Sequence, residues 1–139
     1  MKVFLDTNVF INGLKYPESN SRKILELAKS GAIRAVTSEL ALKETAIVLR
    51  RLSGSKAAYL GTKYVQSLCE IIPRRKIRGY MKQLKGLIKE KDLENIASVK
   101  SMKIQFIVSH DRDYKNFSEH RTPKKFMQEL GLQAWRTEY

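Results

Sequence analysis

At 139 residues the chain has the length of one domain, and a single domain over residues 1–139 is expected. Hydrophobic residues at 42% allow a packed core and exclude a disordered basic tail, while seven Gly and three Pro exclude collagen-like and low-complexity chains. Twenty-seven Lys and Arg against fourteen Asp and Glu leave a formal net charge of +13, which favours polyanions: nucleic acid first, then an acidic partner protein, then an anionic membrane surface.

In chain order, Val3-Phe4-Leu5 reads as a short buried strand with Asp6 at its carboxyl end. Helical spacing runs from Ser19 to Ser30 and stops at Gly31, a left-handed cap. Ile33 to Thr37 is a second strand, after which Ser38 caps a helix to about Leu52. Ser53-Gly54-Ser55 breaks the chain before a helix from about Lys56 to Glu70. Ile71-Ile72-Pro73 suits an edge strand, because Pro cannot donate to a ladder. A basic helix from about Lys76 to Lys89 and another from about Leu93 to Lys103 follow. Ile104 to Val108 is the clearest strand, and Thr122-Pro123 opens a last helix to Leu130. Alternating strands and helices indicate an α/β fold with a mostly parallel sheet. The single cysteine, Cys69, excludes an internal disulfide, and no spacing suits zinc. The apolar run before Asp6 is too short for a signal peptide and no later stretch is long enough to span a bilayer. A soluble, cytoplasmic protein with no membrane partner is expected.

Only four of the acids are aspartate: Asp6, Asp92, Asp111 and Asp113. Ligands of open parallel sheets bind beyond the carboxyl ends of the strands, and both confident strands finish in aspartate, at Asp6 and Asp111. Either one alone reads as a cap of the next turn; both together point to a site. Glu44 has Leu40 at i−4, Ile47 at i+3 and Val48 at i+4, so it is expected on the inward face of its helix, where a carboxylate needs a cation, a metal or hydrogen bonds. Glu39 falls on the opposite side as an ordinary exposed ion-pair partner of Lys43 and Arg50. Asp92 has two even readings, as N-cap of the Leu93 helix or as an inward acid one turn from Ile96. Clustered carboxylates repel unless divalent cations sit among them, and their hard oxygen atoms suit Mg²⁺ or Mn²⁺ rather than zinc. Such ions activate water and stabilise charge on a phosphodiester under attack.

Leu5-Asp6-Thr7-Asn8-Val9-Phe10, the inward Glu44, Asp92 ahead of Leu93-Glu94-Asn95-Ile96-Ala97, and Ile107-Val108-Ser109-His110-Asp111-Arg112-Asp113-Tyr114 together resemble the PIN-domain ribonucleases. Thr122-Pro123-Lys124-Lys125-Phe126 is similar to that family's closing segment, so the resemblance covers nearly the whole chain. It implies a PIN-like α/β/α sandwich and metal-dependent endoribonuclease activity. Asp6, Glu44, Asp92 and Asp111 would form the acidic metal-binding set, Asp113 an accessory acid, and Asn8 and Ser109 polar supports. Many small members are toxins of VapBC-type toxin–antitoxin pairs, so an acidic antitoxin protein and a homodimer are implied as partners. Others process RNA or act in ribosome maturation. Glu90 and Glu94 compete with Asp92 for the third acidic place.

Between Arg74 and Lys91 stand eight Lys or Arg and a single acid, Glu90. Arg75, Arg78, Lys82, Lys85 and Lys89 repeat at helical intervals, while Ile77, Met81, Leu84 and Ile88 form a separate apolar stripe. The expectation is a docked helix whose outward cationic ridge binds RNA phosphates; the plain alternative is a solvated face. Gly79 and Gly86 weaken such a helix. His110 is expected to be incidental to the acids and His120 to lie in a surface loop, while Tyr59, Tyr64, Tyr80 and Trp135 suit core or interface better than base stacking. Two further readings compete with the nuclease: an RNA-binding module without turnover, and a phosphatase-like α/β domain. The second requires another aspartate two residues after Asp6, where Asn8 stands.

Overall fold

The computed structural model describes residues 1–139. Strand β1 (Lys2–Leu5) leads into α1 (Thr7–Lys15) and α2 (Asn20–Ser30), then β2 (Arg34–Ser38) and the long α3 (Glu39–Leu68). After β3 (Cys69–Ile72) come a 3₁₀ turn at Arg74–Lys76, α4 (Arg78–Leu84), α5 (Glu90–Ser101) and β4 (Phe106–Val108). A second 3₁₀ turn at Arg112–Tyr114, the two-residue β5 (His120–Arg121) and α6 (Pro123–Glu129) complete the chain. The five strands form one sheet in the order β3-β2-β1-β4-β5, and every pairing is parallel.

Alternation along β1 separates two cores. Val3 and Leu5 point to one face, where they meet Val9 and Phe10 of α1, Ile24 and Leu25 of α2, Val65 of α3 and Phe126 of α6. Phe4 points to the other face, packing with Ile77, with Ile96 and Ala97 of α5, and with Tyr114. Each large side chain so buried is worth about 1.5–3 kcal/mol relative to exposure. The result is the α/β/α sandwich with a central parallel sheet expected from the sequence.

Local chemistry sets the helix starts. The Ser19 and Ser38 hydroxyls accept from the Arg22 and Ala41 amides, and Thr122 Oγ1 accepts from Lys125 N ahead of Pro123. Gly31 closes α2 at φ +81°. Gly54, at φ +91° and ψ 178°, kinks α3 within the expected Ser53-Gly54-Ser55 break. β3 lies at the sheet edge, as its proline predicts, but spans Cys69–Ile72: it starts inside the helix expected to reach Glu70 and stops before Pro73.

Several expectations need correction. Helix α1 follows Asp6 directly, although Asn8, Asn12 and Gly13 give it little intrinsic propensity; burial of Val9 and Phe10 holds it. The basic helix over 76–89 is discontinuous. It comprises a 3₁₀ turn and seven-residue α4, then leaves helical geometry at Lys85 and turns at Gly86, whose φ is +85°. Its apolar stripe nevertheless docks as expected, with Ile77 buried and Met81, Leu84 and Ile88 packed beside the same core. Helix α5 begins at Glu90 rather than Leu93, and β4 is shorter than the Ile104–Val108 run. His120 is in β5, with Nε2 2.9 Å from the Ser109 carbonyl oxygen, not in a free loop. The residues after α6 are clasped by buried Asn20, whose side chain donates to the carbonyls of Trp135 and Thr137 and accepts from Trp135 N.

Gly13 marks the closest approach of α1 and α2. A Cβ there would lie 2.5 Å from Leu25 Cδ1 and 3.2 Å from the Ser21 carbonyl carbon, which belongs to rigid helical backbone. Gly13→Ala is therefore expected to destabilise the fold by about 1–3 kcal/mol despite its better helix propensity. Chemical denaturation would read this as a lower midpoint at unchanged slope.

Candidate active site

The sheet's connectivity reverses between β1 and β4, since β2 and β3 extend from one side of β1 while β4 and β5 extend from the other. A crevice at such a switch point opens beyond the carboxyl ends of the strands. Asp6 leaves β1 there, with its amide donating to the Val108 carbonyl of β4 at 3.1 Å. Its carboxylate is 6% exposed and held from three sides. Oδ1 accepts from Thr7 N at 2.8 Å and from Asn95 Nδ2 at 3.2 Å, while Oδ2 accepts from Ser109 Oγ at 2.7 Å. Ser109 in turn accepts from Asn8 Nδ2 at 3.2 Å and from Asp111 N at 3.0 Å, and Asn8 Oδ1 accepts from His110 N at 3.0 Å. Asn8 and Ser109, expected as polar supports, thus hydrogen-bond to each other, and Ser109 bonds the Asp6 carboxylate.

Because α5 starts at Glu90, Asp92 falls in its first turn and is 6% exposed, one turn before Asn95 and Ile96. Its two competitors point elsewhere. Glu90 is exposed, and Glu94 accepts from Leu40 N at 2.9 Å, serving the start of α3 with Arg74 3.6 Å away. Asn95 is the hub that sequence reading missed, joining Asp6, the Tyr114 hydroxyl at 3.1 Å and Ser38 Oγ at 2.7 Å. The i, i+3 spacing from Asp92 puts both on one helix face, and that spacing was the available signal.

Glu44 approaches from α3. The fully inward line of that helix is Ala41, Thr45 and Leu49, whereas Ile47 is 47% exposed, so Glu44 sits half-buried at the flank rather than at the centre of an apolar face. Its Oε2 accepts from Thr7 Oγ1 at 3.2 Å, which turns it towards the switch point. Glu39 is exposed and makes no ion pair with Lys43 or Arg50. Asp6, Glu44, Asp92 and Asp111 line one pocket of about 340 Å³ together with Asn8, Asn95, Lys91 and Tyr114. Asp113 is on the rim, held by Lys91 at 2.8 Å and Lys89 at 3.0 Å.

Electrostatics match this crowding. Burial pushes the Asp6 carboxyl up; hydrogen bonds from Ser109 and Thr7 oppose this, and the Asp111 and Asp92 charges reinforce it. Burial likewise raises Glu44, with Asp6 and Asp92 adding to the rise, and raises Asp92, with Asp111 adding to it. Asp113 is lowered by its bonds to Lys91 and Lys89. Carboxylate oxygens of Asp92, Asp111 and Asp113 lie within 4.8 Å of one another. An all-oxygen donor set under mutual repulsion fits a hard divalent cation. Asp6, Glu44, Asp92, Asp111 and Asp113 are the residues that could hold one.

The five ridge residues, Arg75, Arg78, Lys82, Lys85 and Lys89, are exposed but do not share one helix. Lys89 belongs to the pocket rim through Asp113. His110 lies outside the acid network except through its backbone amide, and its ring faces the Tyr139 ring at 6.2 Å.

The raised carboxyls give a pH dependence of defined sign. Groups that bind protons more tightly when folded cost no stability below their unfolded values of 3.8 and 4.5, and their cost grows as pH rises through the folded values. Asp113, lowered when folded, opposes this only as pH falls below 3.8. Without divalent ions, the melting temperature is therefore expected to be higher at mildly acidic than at neutral pH, and Mn²⁺ should narrow the gap. Asp92→Asn should raise neutral-pH stability in EDTA while blunting the Mn²⁺ response. Thermal melts across pH, with EDTA or Mn²⁺, check both.

The PIN domain family model matches residues 2–113. Three solved structures share the architecture. A toxin–antitoxin complex from Klebsiella pneumoniae superposes with TM-score 0.67 at 15% identity, covering 87% of this chain and 97% of that one. VapBC2 of Rickettsia felis bound to a promoter DNA fragment gives 0.66 at 18% identity, covering 83% and 91%. VapC20 of Mycobacterium tuberculosis, a toxin that cleaves the sarcin–ricin loop, gives 0.64 at 17% identity, covering 84% and 95%. A sequence comparison with curated proteins gives no match. At these identities the structural likeness is one of fold, but the family match runs from β1 through Asp113 and takes in every acid at the switch point: the chain belongs to the PIN-domain family.

Proposed function

We propose that this PIN-domain protein is an endoribonuclease dependent on Mg²⁺ or Mn²⁺, and that it is the toxin of a VapBC-type pair. The observation that carries the reading is the convergence of Asp6, Glu44, Asp92 and Asp111 on one pocket in a chain of net charge +13. A bound divalent cation supplies positive charge for the phosphate and an acidified water as nucleophile. The chain's own residues supply position. Ser109, Asn95 and the Thr7 amide fix the Asp6 carboxylate, and Oδ2, which accepts only from Ser109, keeps a further lone pair. Thr7 aims Glu44, and Asn8 holds Ser109. A module that only bound RNA would gain nothing from burying carboxylates against one another.

Exposed Arg75, Arg78, Lys82 and Lys85, with Lys89 at the rim, are the proposed contacts to the RNA backbone, which give affinity rather than sequence choice. The antitoxin reading is favoured over free-standing RNA processing by a second, apolar pocket of about 690 Å³. It lies between α1 and the two limbs of α3, with Ile11, Leu14, Leu49, Leu52, Leu60 and Tyr64 on its walls. Ile11 belongs to both pockets, so a partner segment seated there ends beside the acids. The basic surface suits an acidic partner. A homodimer is part of the same reading, with exposed Tyr59 and Leu87 available to a second copy.

Purified protein is expected to cut RNA with Mn²⁺ and not with EDTA. Asp6→Asn should fall to background, and Ser109→Ala should lose about 10–100-fold, as for residues that orient metal ligands. Parent-like cleavage by Asp6→Asn would remove the assignment. For binding, the triple change Arg78→Ala, Lys82→Ala and Lys85→Ala in an Asp6→Asn background should flatten the slope of log affinity against log salt by about 2, near 0.7 per lost contact. Titrations of labelled single-stranded RNA at several salt concentrations measure this.

A further inference from the structure

One cation lines the acidic pocket, and it stands where local forces oppose it. Lys91 is the second residue of α5, at the positive end of the helix dipole, where a lysine is disfavoured. Its ammonium is nevertheless drawn inwards, 2.8 Å from Asp113 Oδ2 and 3.7 Å from Asp111 Oδ2. Those two carboxylates, with Asp92, form the group whose oxygens lie within 4.8 Å of one another. Asp113 Oδ1 is taken by Lys89 at 3.0 Å, so each Asp113 oxygen already meets an ammonium. Lys89, unlike Lys91, makes no ion pair with Asp111.

We propose that Lys91 is a built-in countercation of the site. Its ammonium neutralises Asp111 and Asp113 in the ion-free protein and is displaced when a divalent cation loads, with Asp113 serving as its tether. An ammonium and a divalent ion cannot share the same few oxygens without strong repulsion, so loading is an exchange of one cation for another. The side chain is 60% exposed and joined to the helix by a flexible four-carbon stem, so it can leave without disturbing α5. Asp113 is then a positioning residue for Lys91, and the set that faces the ion is Asp6, Glu44, Asp92 and Asp111.

This inference rests on the pocket being a cation-dependent centre, and the test separates the two. Mn²⁺ binding to the full-length protein without RNA is measured by calorimetry, alongside RNA cleavage by the parent. Lys91→Met is expected to bind Mn²⁺ about tenfold more tightly, which corresponds to about 1.4 kcal/mol. Lys91→Arg, which keeps the charge, should stay within about threefold of the parent, and so should Lys89→Met. Thermal melts establish that each variant is folded. Unchanged or weaker Mn²⁺ binding by folded Lys91→Met overturns the proposal. So does an equal gain in Lys89→Met, because the effect would then be one of distant charge. A parent that neither binds Mn²⁺ nor cuts RNA removes the reading of the centre and takes this inference with it. A parent that does both, with Lys91→Met unaltered, removes only the inference.

Discussion

The hydrogen bond from Ser109 Oγ to Asp6 Oδ2 is the tie on which the arrangement of acids depends. It spans the switch point between β1 and β4, where the backbone ladder ends and side chains must take over. Without it, the Asp6 carboxylate would lose its one hydrogen bond from the β4 strand end, and only backbone contacts and Asn8 would join the two ends. Ser109 holds its place because it is fully buried and satisfied from three directions: it donates to Asp6 and accepts from Asn8 and the Asp111 amide. Buried networks of this kind rigidify when every member is paired. Asn95 repeats the device from α5, so Asp6 is referenced to three separate elements at once.

That referencing reconciles a strongly basic protein with an acidic centre. Lysines and arginines lie mostly outside, where water screens them, whereas the acids of the pocket are withdrawn from water and feel each other. A handful of withdrawn negative charges outweighs many solvated positive ones at short range. On the proposed function, the net charge favours the approach of a polyanion, and the local charge favours a cation at the end of that approach.

How much of this could be read beforehand depended on the range of the interaction. Strand runs and caps are local, so Val3-Phe4-Leu5, Ser19, Ser38, Gly31 and Thr122 announced their elements directly. The acids were legible because aspartate is scarce here and two of the four follow strands. Helix α1 was not, since Asn8, Asn12 and Gly13 argue against a helix and only the burial of Val9 and Phe10 supports one. The basic segment misled in the opposite way: its spacing was helical, but Gly86 in a left-handed conformation overrode the pattern. Partners far apart in sequence, such as Thr7 with Glu44 or Lys91 with Asp111, leave no trace in spacing at all.

The strand order also carries a consequence in time. Ser109 and Asp6 are separated by 103 positions, and β4 lies on the side of β1 opposite β2 and β3, although it follows both in sequence. During synthesis the first acid therefore emerges early and waits, unsupported, for nearly the whole chain to follow. A growing polypeptide holds no assembled acidic centre until Asp92, Ser109 and Asp111 have been made. The topology thus ties assembly of the acidic centre to the synthesis of β4 and the residues that follow it.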